Sequence, residues 1–65
     1  MTEKKKQQLI KDIAYKIIDL EKRINEKEVN QEPVQLEQIR LEHQLDRAFR
    51  AGVIDEVLQL ARRSV

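Results

Sequence analysis

The sequence has no cysteine and no tryptophan, and only one each of glycine, proline, histidine, tyrosine and phenylalanine. Without cysteine there is neither a disulfide nor a thiolate metal site. A single histidine excludes the usual histidine clusters. Two of the devices that stabilise very short chains are therefore absent, and no metal or other cofactor is expected. With so few aromatics, the basic residues are not interleaved with rings on which bases of a single strand could stack. Neither sign of charge dominates. Of the residues, 38% are charged, yet the net charge is +1. Residues 1–30 hold eight basic and six acidic side chains, residues 31–52 three and four, and residues 53–65 two of each. No segment demands a nucleic acid or a membrane surface as its partner. No apolar run approaches the roughly 20 residues of a membrane span. The opening MTEKKKQQLIKDI has no continuous apolar core and no small-residue cleavage site, so no signal peptide is expected and the expected location is cytoplasmic.

What is present is apolar residues at helical spacing, 40% of the total over 65 residues. That argues against disorder, which needs low hydrophobicity with high net charge. Ile10, Ile13, Ile17, Leu20 and Ile24 recur at steps of three and four, the seam of a coiled coil. Leu9 and Ile18 widen this face, and a face so wide needs more than one covering helix. The first helix is expected over about 3–28, with Thr2 as its N-cap and with Asp12–Lys16 and Asp19–Arg23 as i,i+4 pairs. A turn around Asn30 and a proline suited to a first helical turn, Pro33, place a second helix over about 33–51, antiparallel to the first. Val34, Leu41, Leu45, Ala48 and Phe49 share its core side, while Leu36 and Ile39 point away.

Gly52 poses the main architectural question. In an uninterrupted helix, Leu45, Ala48 and Phe49 lie within about 80° of Leu41, whereas Ile54, Val57, Leu58 and Ala61 fall roughly 160–260° away. Two stripes out of phase leave two solutions. Gly52 can take the left-handed conformation and turn residues 53–63 back onto the core. Otherwise the helix runs straight, and the second stripe joins Leu36 and Ile39 on an outward face. The break at Gly52 is the preferred solution. The expected fold is all-α: an antiparallel helical hairpin plus a short C-terminal helix over about 53–63, one domain spanning residues 1–65.

So short a chain buries only about 60% of the surface its unfolded form exposes. The apolar surface exceeds what one copy is expected to cover, so a homodimeric bundle and a protein partner are both expected. The residues expected at that interface are Ile10, Ile13, Ile17, Ile18, Leu36, Ile39, Ile54, Val57, Leu58 and Ala61. No catalytic residue is expected. His43, flanked by Glu42 and Asp46, reads as a solvated helical histidine rather than a proton shuttle or metal ligand, because scattered carboxylates do not make a ligand set. Asp55 and Glu56 suit the start of the third helix, and Arg62 and Arg63 its end. Lys4, Lys5, Lys6 and Lys11 stand at the positive end of the first helix, where the dipole disfavours them. They are the residues that would touch a nucleic acid, with Arg62 and Arg63 if these lie nearby.

The segment EHQLDRAFRAGVIDEVLQLA resembles the IDEAL domain, a short helical element of small proteins from Bacillus-type bacteria. Leu45-Asp46-Arg47-Ala48-Phe49 takes the place of the naming Ile-Asp-Glu-Ala-Leu run, with Leu60 as a later apolar anchor. Arg replaces Glu, Phe replaces Leu, and Val57 stands where an aromatic is usual. The resemblance implies a helical regulatory or binding role without catalysis. Glu42-His43-Gln44-Leu45-Asp46 also looks like the Ser-Gln-x-Leu-Asp signature of the small sporulation-phosphorelay phosphatases, which are helical hairpins. The Ser and the Gln are missing, so that activity is not carried over, although His43, Gln44 and Asp46 would be its residues. The expectation is thus a small non-enzymatic bacterial or phage regulator. The alternatives are a nucleic-acid-binding helical dimer and a phosphoaspartate phosphatase-like hairpin.

Overall fold

The computed structural model describes residues 2–63. They form three helices, α1 over Glu3–Val29, α2 over Gln35–Arg50 and α3 over Ile54–Arg63, and no strand. At about 1.5 Å per residue, α1 sets the long dimension of a molecule measuring 43 × 21 × 14 Å. Thr2 caps α1, its Oγ1 accepting the Lys5 N–H at 3.3 Å. The ion pairs Asp12–Lys16 and Asp19–Arg23 both close at 3.2 Å, and Asp46–Arg50 at 2.8 Å. Each is exposed and contributes at most about 0.5 kcal/mol.

Both helix ends that face a turn close in the same way. At the end of α2, Val53 N–H donates to Ala48 C=O at 2.9 Å and Gly52 N–H to Phe49 C=O at 3.1 Å. This pair of bonds is a Schellman motif, with Gly52 at φ +73°. Its characteristic apolar contact is present too, since Val53 and Ala48 both belong to the buried core. At the end of α1, Glu32 N–H donates to Lys27 C=O at 2.7 Å and Gln31 N–H to Glu28 C=O at 3.1 Å. Here the left-handed position is filled by Gln31, at φ 58°. An L side chain there costs about 1–2 kcal/mol. Gln31→Gly is therefore expected to raise stability by about 0.5–1 kcal/mol, net of the greater freedom of unfolded glycine. Urea unfolding followed by circular dichroism measures it.

The break at Gly52 folds α3 back onto the bundle, chiefly against α1 and less against α2. One core results, built from Ile10, Ile13, Ala14 and Ile17 of α1, Ala48 of α2, and Val53, Val57 and Ala61 in and just before α3. Each helix supplies one alanine to it, and small side chains at a crossing let helices approach closely. Leu9, Ile18, Leu41, Leu45, Ile54 and Leu60 pack around this centre, partly buried.

Three expectations are corrected. Pro33 is not in the first turn of α2, which begins at Gln35 with Val34 as a cap that offers no side-chain oxygen. Phe49 is not in the core but 72% exposed. The buried line of α2 runs through Glu37, Leu41 and Ala48, and Phe49 lies about 100° round the helix from it. Finally, the seam of α1 needs no second copy to cover it, because α2 and α3 of the same chain do so.

Glu37 occupies a core position that apolar spacing does not mark. It is 5% exposed and forms a hydrogen-bonded ion pair with Lys27 across the hairpin turn. Both charges suit their helix ends, Lys27 in the last turn of α1 and Glu37 in the first turn of α2. The Lys27 ammonium, followed by Glu37's own backbone N–H, holds the carboxyl below the ordinary glutamate range; burial opposes this, and Arg40 adds a smaller attraction. Its second oxygen, Oε2, is buried without a donor. A depressed folded pKa means the carboxylate's stabilisation is complete above the unfolded value, about 4.3, and is lost as pH falls through the folded value. Glu37→Gln is accordingly expected to flatten the loss of stability below about pH 4.3. Thermal melts of both proteins at a series of acidic pH values would show it.

Candidate functional site

The ten residues expected at an interface separate into three groups. Ile10, Ile13, Ile17, Val57 and Ala61 are buried inside the chain's own core. This corrects the placing of Ile10, Ile13 and Ile17 on a docking surface, while Val57 and Ala61 take the inward position that the break at Gly52 gives them. Ile18, Ile54 and Leu58 are half-buried at its margin. Leu36 and Ile39 alone of the ten are well exposed, at 54% and 63%. Phe49, expected in the core, and Tyr15 of α1 are exposed as well.

On one side of the α1–α2 pair lies an open groove of about 480 Å³, lined by Lys16, Asp19 and Leu20 of α1 and by Ile39, Arg40, His43 and Gln44 of α2. Leu20 is buried and forms its floor. Farther along the same pair of helices, Arg47 donates to Gln44 Oε1 at 3.0 Å and approaches Asp12 within 4.0 Å. Gln44 is thereby held from within α2. Lys16 and Asp19 are already paired with Asp12 and Arg23. Arg40 and His43 make no hydrogen bond or ion pair among the described residues.

The residues of the phosphatase-like pattern do not all line this groove. His43 and Gln44 line the groove, but Asp46 does not and is paired with Arg50. No group of three or more His, Cys, Asp or Glu side chains suited to a metal occurs among the described residues. Lys4, Lys5 and Lys6 are consecutive, so at about 100° per residue they fan round α1 instead of forming one patch. Lys11 and Arg63 do line one open depression, together with Glu56. No helix among the described residues is long and apolar enough to cross a membrane.

Compared with known protein families, curated proteins and solved structures, the chain matches none.

Proposed function

We propose that the chain is a small non-enzymatic regulator or adaptor that grips a protein partner through an exposed apolar helical surface, and that it self-associates as a bundle-like dimer. The observation that carries this reading is Phe49. The bundle completes a core of its own, yet leaves its single phenylalanine 72% exposed, on a rigid helix one turn from the Gly52 corner. Large aromatics on firm supports are the usual anchors of protein interfaces. Antirepressors, anti-activators, enzyme inhibitors and phage takeover factors all work by such contacts, in the cytoplasm of a bacterium. The IDEAL-like segment, which contains Phe49, implies the same class of role.

The test is affinity capture from a bacterial lysate, with and without nuclease, read by mass spectrometry. One dominant protein is expected to survive nuclease and to disappear with Phe49→Asp, a change at an exposed site that leaves the core intact. Recovery that vanishes with nuclease would overturn the reading. It would favour instead the alternative of nucleic-acid contact through Lys4, Lys5, Lys6 and Lys11, for which the shared depression lined by Lys11 and Arg63 is the supporting observation. Salt dependence would then be steep, and lysine-to-glutamine changes would weaken binding on every sequence alike.

A further inference from the structure

The outer face of α2 combines two features. Its centre is aliphatic, with Leu36 and Ile39 one turn apart and more than half exposed. Its margin carries polar and charged side chains that join no salt bridge, although Arg40 also adds its smaller attraction to Glu37. Arg40 lies on one flank and Glu42 on the other, with the His43 imidazole in line with Leu36 and Ile39 and Glu32 just before the helix. None of these four side chains makes a hydrogen bond or ion pair among the described residues. The contrast lies on the same helix, where Asp46 and Arg50 neutralise each other at 2.8 Å.

The balance of these charges indicates the occupant. Free cations alone would fit an acidic foreign surface, and free carboxylates alone a basic one. Free charges of both signs around an aliphatic centre are complementary to the same face of another copy, because a two-fold axis brings each half of the pattern opposite the other. The groove beside Ile39, about 480 Å³ with Leu20 as its floor, gives an incoming aliphatic side chain somewhere to go.

We propose that two copies of the chain meet through this face, Leu36 and Ile39 of one against those of the other, with Arg40 and His43 of each beside Glu32 or Glu42 of its mate. This rests on the self-association in the reading above and gives it a surface. Phe49 lies off this face and stays free for a foreign protein. With four aliphatic side chains at its centre, the contact belongs at the small end of specific interfaces, and a dissociation constant on the order of 100 μM is expected.

Sedimentation equilibrium of the full chain, from about 5 μM to about 1 mM, is expected to show monomer passing to dimer. Ile39→Glu should weaken dimerisation at least ~30-fold, with the helical circular dichroism unchanged. Arg40→Glu should weaken it ~5–10-fold. Mixing Arg40→Glu with the Glu32→Arg/Glu42→Arg double variant should restore a heterodimer tighter than either homodimer, a result that loss of fold cannot mimic. A wild-type chain that stays monomeric at the highest concentration overturns the proposal. So does a dimer indifferent to both Ile39→Glu and Arg40→Glu, which would meet through another face. Lysate capture by Ile39→Glu separates the two readings: a partner still held through Phe49 leaves the adaptor role standing after the dimer face has failed.

Discussion

Ile13→Ala is expected to lower the stability of the folded chain by about 3 kcal/mol. Ile13 is fully buried, in the same cluster as Ala48 of α2 and Val57 of α3. Removing its outer carbons takes away transfer free energy and also leaves a cavity that three helices around one side chain cannot easily close. A chain of this length is stable by roughly 3–10 kcal/mol in all, so the variant stands near the edge of folding. Urea unfolding should show a lower midpoint with the slope unchanged. Tyr15→Ala, at an exposed site of the same helix, should stay within about 0.5 kcal/mol of wild type. Protein concentration is the decisive variable. If α2 and α3 of the same chain cover the seam, the loss is the same at 5-fold or 50-fold dilution. If a second copy covered it, the midpoint would move with concentration by mass action. A loss below about 1 kcal/mol, or one that follows concentration, would place Ile13 outside the chain's own core.

The sequence makes the seam of α1 legible because Ile10, Ile13, Ile17 and Leu20 are apolar at every step and stand among charged neighbours. The turn at Gly52 is legible for a related reason, since two good stripes out of phase need a break and the only glycine stands between them. The core side of α2 is harder to find. Two of its inward positions are polar: Glu37, neutralised by Lys27 ten residues earlier, and half-buried Gln44, held by Arg47. Apolar spacing then swings toward Phe49 and misplaces it. The pairing of Lys27 with Glu37 depends on the hairpin register, which no local pattern specifies. The same holds for Gln31, which adopts a conformation that glycine advertises and glutamine does not. For the candidate site, Leu36 and Ile39 are legible as residues facing away from α1. Their separation from Ile54, Val57 and Ala61 is not, because it follows from the turn that sends the second stripe inward. Once α3 docks, the apolar surface left exposed is smaller than apolar content suggests, and three of its five large side chains, Leu36, Ile39 and Phe49, lie on α2.

Gly52→Ala is expected to cost about 1–2 kcal/mol. The space around the site is open, with no atom within 4 Å of a Cβ built there, so crowding contributes nothing. The cost is conformational, because Gly52 holds φ +73° and an L side chain is strained at that angle. Asparagine tolerates the left-handed region better than other L residues. Stability should therefore fall in the order Gly52, Gly52→Asn, Gly52→Ala, Gly52→Val, although alanine is the best helix former of the four. A straight helix through residue 52 predicts the reverse for alanine, a gain of up to about 1 kcal/mol, so the sign alone decides between the two architectures. The consequences also extend beyond the turn. The alternative open to a strained Gly52→Val chain is to continue α2 into α3, which would withdraw Val53, Val57 and Ala61 from the core and turn their stripe outward. Such molecules would expose Ile10, Ile13 and Ala14 as well, and two apolar faces per chain would drive association. A destabilised Gly52→Val that also sediments as a larger species at concentrations where wild type is monomeric is the expected result. It would mean that this one glycine keeps the apolar stripe of α3 in the core and out of the exposed surface.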